Sequence, residues 1–149
     1  MNRRRPRGQN AGMERGDVDT IEKVLRHDVW AVVGLTGDPT RPAYGVARFL
    51  QRHGKRVIPV NPRGQEVLGE PGYRSLADIT EPVDVVDIFR RADHAGVHVD
   101  EAVEIGARAV WMQLTVVDDE AADRAAEAGL DVVMDRCPVI EWPAHGPSA

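Results

Sequence analysis

Two spacings of apolar residues alternate along the chain. Short, mainly apolar runs, of the kind that form strands buried on both faces, occupy 30–33 (WAVV), 57–60 within KRVIPV, 83–88 (VDVVDI), 109–114 (AVWMQL) and 131–134 (DVVM). Between them lie segments of helical period. Residues 17–26 put Val18, Ile21, Val24 and Leu25 on one face, and 42 to about 53 does the same with Val46, Phe49 and Leu50. Val99, Ala102 and Val103 mark a helix ending near Gly106. Ala122, Ala125 and Ala126 mark a thinner stripe that Gly129 closes. Asp118 is the expected N-cap of that helix, with Asp119 and Glu120 in its first turn, as the helix dipole favours. Residues 75–79 and 137–142 are expected to add single helical turns, and 66–68 a short extended piece.

Five strands alternating with helices predict an α/β, Rossmann-like three-layer fold, a five-stranded parallel sheet with helices on both faces. The expected strand order is 3-2-1-4-5. Ligands of such sheets bind beyond the carboxyl ends of the strands, where the order reverses. That end gathers residues 34–45, 61–64, 89–90 and 113–114. The first of these stretches carries candidate chemistry. Gly34 ends the first strand, 35–40 form a loop of small and turn-forming residues, Thr40 is the expected N-cap, and Pro42 opens the helix. Free backbone N–H groups and the positive end of a helix dipole converge there, and phosphate is their natural ligand. A plain βα turn shares this pattern and binds nothing. Gly45 lies inside the helix, at a cost of about 1 kcal/mol relative to alanine. Tight packing on the sheet, or a ligand backing onto the helix, would account for it.

Composition narrows the classes. The 149 residues suit one domain with a sizeable core. No apolar run approaches the roughly 20 residues of a membrane span, and the basic start MNRRRPRGQN lacks the apolar stretch of a secretory signal, so a cytoplasmic protein is expected. The single cysteine, Cys137, excludes an internal disulfide. The net charge of −5 is uneven. Residues 1–15 hold five arginines and one acid, and the remainder carries 14 basic and 23 acidic residues, which argues against a nucleic-acid-binding domain. The expected organisation is a disordered basic tail over 1–15, a domain over 16–144 and a frayed end over 145–149.

The candidate ligand is a nucleotide cofactor. NAD fits poorly. Gly34-Leu35-Thr36-Gly37 is not G-x-G-x-x-G, and the second strand ends in Asn61 where an NAD site places an acid for the ribose. The stretches VVGLTGDPTRPAYG (32–45), VIPVNP (57–62), VDVVDIFR (83–90), AVWMQL (109–114) and VVMDRCPVIEW (132–142) together resemble the CoA-binding domain, the Rossmann-like module that also forms the N-terminal part of the succinyl-CoA synthetase α subunit. The stand-alone bacterial members look closest. The resemblance implies a binding module for coenzyme A or an acyl-CoA. Gly34, Leu35 and Thr36 fall in the loop that meets the CoA phosphates. Asn61 and Pro62 match the turn along the nucleotide, Phe89 and Arg90 the end of the third strand, and Gln113 the end of the fourth. The synthetase has a lysine after the second-strand turn. Gly64 stands there instead, with Arg63 beside it.

The residues permit further roles on their own chemistry. Arg41, Arg63 and Arg90 have the forked geometry that suits phosphate, or are solvated surface arginines. Tyr44 can stack on adenine or pantetheine, or lean on the sheet, and Gly45 adjoins it. No catalytic group is expected. His94 and His98 are spaced i, i+4 without a third metal ligand, Cys137 has no nominated base and is taken as structural, and Asp84 and Asp87 are expected to cap neighbouring loops. The alternatives are an enzyme using NAD(P) on the same fold, or a scaffold with a vestigial pocket. No metal, membrane or nucleic-acid partner is expected, and no protein partner is indicated.

Overall fold

The computed structural model of the chain describes residues 16–147. The tail expected over 1–15 lies outside the described residues, as do Ser148 and Ala149. In order the elements are α1 (Val18–Leu25), β1 (Val29–Val33), α2 (Pro42–Arg52), β2 (Arg56–Val60), a 3₁₀ turn (Leu76–Asp78), β3 (Val85–Ile88), α3 (Ala92–Glu104), β4 (Ala109–Met112), α4 (Asp119–Glu127), β5 (Asp131–Met134) and α5 (Pro138–His145). Asp17 and Asp118 cap α1 and α4, their carboxylates accepting from the Thr20 and Ala121 amides. His145 belongs to α5 and reaches Glu22 of α1 at 3.4 Å, so the helix extends into the stretch expected to be frayed.

All four strand pairings are parallel, and the sheet is a Rossmann-like α/β sheet as expected. Its order corrects the expectation. The strands run 2-1-3-4-5, not 3-2-1-4-5. The reason lies in β2. Its outer side is closed by Tyr73, whose N–H donates to the Pro59 carbonyl and whose own carbonyl accepts from the Asn61 amide. The Pro59 carbonyl and the missing N–H of the same residue share that outer side, and proline is tolerated on an edge strand for this reason. The chain after Tyr73 therefore folds back over the sheet. It buries Leu76 beside α3 and delivers β3 to the free side of β1.

Residues alternate between two cores. Ala31, Ile58, Val86, Val110 and Met112 face α3, α4 and the 3₁₀ turn. Trp30, Val57, Trp111 and Val133 face α1, α2 and α5. The Trp30 and Trp111 rings meet at 5.8 Å between centroids, and each indole N–H finds a backbone carbonyl, of His27 and Arg136 respectively. Among the described residues no helix is long and apolar enough to cross a membrane.

Candidate functional site

With this strand order the reversal lies between β1 and β3, and the residues at their carboxyl ends touch. Gly34 has φ +92°, and a Cβ there would stand 2.6 Å from the Phe89 carbonyl oxygen. Only glycine lets the two strand ends approach so closely. Gln113, at the end of β4, is one strand further out.

Asn61 organises the loops around this point. Its side-chain amide donates to the carbonyls of Leu35 (2.9 Å) and Gln65 (3.1 Å), and its carbonyl accepts from the Gln65 amide at 2.7 Å. The residue is buried and these bonds take up its side chain, so it shapes the site from beneath. Gln65 in turn accepts from the Gly37 N–H at 3.4 Å, tying the turn after β2 to the loop after β1. Gly72 backs so closely onto the Gln65 carbonyl that no Cβ fits. Leu35 is fully buried, main chain included, and its carbonyl is taken by Asn61, so it shapes the loop and faces no ligand directly. Thr36 accepts weakly from the Asp38 amide at 3.4 Å.

Thr40 does not cap α2. Its amide and hydroxyl both donate to Asp38, at 2.9 and 2.7 Å, which hold that carboxyl below the usual range. The N-cap is Arg41, with no side-chain cap bond, and the first turn of α2 holds no acid. Every other α-helix described has a capping aspartate or an acid in its first turn. The positive end of α2 is thus left open.

The arginines sort by place. Arg56, Arg91, Arg108, Arg124 and Arg136 are ion-paired. Arg41, Arg63, Arg74 and Arg90, all in the loops at the carboxyl end of the sheet, form no ion pair among the described residues. Arg74 escapes sequence reasoning because 65–73 has no periodicity. Its side chain stands 3.3 Å from the position a Gly64 Cβ would take, beside Arg63. The Pro71-Gly72 turn signal was the available hint that the chain doubles back there. Tyr44 and Phe89 are partly buried against the α2 side of the sheet, and Pro62 is exposed on the turn.

Two buried polar side chains lie beneath the site. Gln113 is 6% exposed, and its Oε1 has no partner. Asp84 behaves as expected of a loop cap, accepting from the Val29 amide at 3.0 Å, but Asp87 caps nothing. It is fully buried, neither oxygen has a partner among the described residues, and burial pushes its carboxyl well above the usual range. Nearby, Thr115 and Asp135 both have positive φ, 68° and 61°, and the Asp135 carboxylate accepts from the Thr115 amide at 2.7 Å. Backbone of this kind concentrates at functional loops. Elsewhere His98 is held by Glu101 at 2.9 Å, Cys137 is buried at the start of α5, and no group of metal-ligating side chains gathers among the described residues.

Comparison with known proteins agrees with this architecture. The model of the CoA binding domain matches residues 28–143. The uncharacterized protein YneT of Bacillus subtilis is 38% identical over 107 residues, 72% of this chain and 79% of that one. A hypothetical protein from Pyrococcus horikoshii superimposes with a TM-score of 0.84 at 35% identity, over 97% of this chain and 99% of the other. The α subunit of the ADP-forming acetate–CoA ligase II of Pyrococcus furiosus is 39% identical over 59 residues, 39% of this chain but 13% of that subunit. The chain belongs to the CoA-binding domain family.

Proposed function

We propose that the chain binds coenzyme A or an acyl-CoA and performs no chemistry on it. The observation that carries this reading is the open N-terminus of α2, bordered by four arginines that form no ion pair among the described residues, in a chain whose net charge is −5. CoA brings roughly four negative charges near neutral pH. The acidic chain repels it at long range, so binding requires local compensation. The N–H groups of the loop from Thr36 onward and of the first turn of α2, with Arg41, suit the diphosphate, while Gly34 and the buried Leu35 set the course of that loop. Arg63 and Arg74, joined by Arg90, suit the 3′-phosphate. Tyr44, Pro62 and Phe89 supply apolar surface for adenine and pantetheine, with Gln113 at the end of β4 beside them, whereas Gly45 opens toward α5 and away from this surface. Asn61 contributes by holding the loops. Cys137 and Asp87, the groups a catalytic reading would use, are both buried, and neither has a hydrogen-bonded base.

Thermal unfolding with CoA and with NAD tests the proposal. A ligand at 100 times its Kd adds about 2.7 kcal/mol to a protein that binds it only when folded. For a domain of this size that is roughly 5–10 °C in Tm. CoA should give this shift and NAD none. An equal shift with NAD, or no shift with CoA, overturns the reading.

A further inference from the structure

A groove of about 460 Å³ runs between α2 and α5. Its volume lies within the range of small-molecule sites, about 300–1,000 Å³. Phe49, Val139 and Ile140 make its walls apolar, Gly45 opens into it, and Arg48 and Arg52 stand on its rim. Ile140 is 61% exposed.

Gly45 is the telling residue. Sequence reasoning leaves two accounts of a glycine inside a helix, tight packing or a ligand. A Cβ at Gly45 would meet no atom within 4 Å, and its φ lies outside the positive range. Packing against the described residues is therefore excluded, and alanine there should raise the unfolding temperature. A position that is worse than alanine for folding, and open on one side, leaves room in the groove for something outside the chain.

The charges say what. Arg48 and Arg52 lie one turn apart on α2 and form no ion pair among the described residues, and no acid lines the groove. An apolar trough with two free guanidiniums on its edge suits an apolar body carrying an anionic head. We infer that the groove between α2 and α5 binds a medium-chain alkyl carboxylate, the chain along Gly45, Phe49 and Ile140 and the carboxylate at Arg48 and Arg52.

Octanoate, titrated calorimetrically into the full chain without CoA, tests this independently of the nucleotide reading. Saturable one-to-one binding is expected. Gly45→Leu fills the groove and should weaken octanoate at least tenfold. The leucine favours helix and meets open space, so the variant should unfold at or above the wild-type temperature. Arg48→Gln with Arg52→Gln should weaken octanoate about tenfold or more, the loss expected from a charge-assisted contact, and leave octanol unaffected. Absence of saturable binding overturns the inference, as does octanoate binding that neither variant changes. A dimer seen by light scattering that Gly45→Leu dissociates also overturns it, because a second copy would then cover the groove.

Discussion

Asp87→Asn should change how stability depends on pH. The Asp87 carboxyl is fully buried, has no partner for either oxygen, and is pushed by that burial well above its ordinary value near 3.8. Folded protein therefore keeps the Asp87 proton at a pH where the unfolded chain has released it. Stability falls wherever the native state binds more protons. The contribution of Asp87 is thus complete below about pH 4 and is lost as pH rises, until the folded carboxyl itself ionises. While the difference is one whole proton the slope is about 1.4 kcal/mol per pH unit. For a chain of this length that is roughly 3–5 °C of Tm per unit.

Asparagine cannot ionise, so the variant lacks this term. The quantity to measure is the wild-type unfolding free energy minus that of Asp87→Asn, from urea titrations at half-unit steps between pH 5 and 7. All other ionisable groups are common to both proteins, so their effect cancels in the difference. Asp38, Glu81 and Asp93 have lowered carboxyls, whose stabilisation is present above the unfolded value and lost only in acid, below the window. The difference should fall steadily toward high pH. Parallel profiles would refute the argument, and would mean that an unseen partner or water holds Asp87 ionised. A constant offset is no contradiction, since asparagine brings N–H donors that also need partners.

Further outcomes follow from the site. Arg63→Ala or Arg74→Ala should weaken CoA by roughly 10- to 100-fold, the loss of one charge-assisted contact, and weaken dephospho-CoA far less, whereas Arg41→Ala should weaken both alike; calorimetry with the two ligands distinguishes them. Asn61→Ala should strip the Leu35 and Gln65 backbone groups of their bonds and cost about 1–3 kcal/mol for each group left buried, measured by urea unfolding. Gly34→Ala should cost about 1–3 kcal/mol through its positive φ alone, and more through the contact with Phe89, and an unchanged Tm would refute that close approach.

Most of the secondary structure was legible because each element is local. Runs such as WAVV and AVWM can be buried on both faces only as central strands, and the aspartates before α1 and α4 cap them as their spacing demands. Parts of the site's frame were legible for the same reason: a glycine ending a strand and a proline opening a helix mark a strand–loop–helix turn, the frame on which an anion site can be built. The long-range pairings were harder to see. Nothing in the local sequence shows that Asn61 is used up by Leu35 and Gln65, that Arg74 returns beside Gly64, or that Asp87 faces a core without a partner. Thr40 failed as a cap because Asp38, two residues away, competes for its hydroxyl and amide.

The strand order shows how one residue can decide a site. Pro59 cannot donate on its outer side, so β2 ends the sheet and β3 must pair with the other side of β1. Had β3 lain outside β2, Phe89 and Arg90 would stand two strands from the loop after β1, and Gln113 would be that loop's neighbour. In the observed order Phe89 touches Gly34, Arg90 follows directly, and Gln113 is displaced to the second position. The unpaired arginines at 41, 63, 74 and 90 then border one reversal point, at the carboxyl ends of β1, β2 and β3. The same order buries Asp87, two residues before Phe89, between the register partners Val32 and Trp111. The geometry that brings Arg90 toward β1 is therefore the geometry that strands a carboxyl in the core. The placement of Arg90 and the burial of Asp87 have a common origin in the edge position of β2.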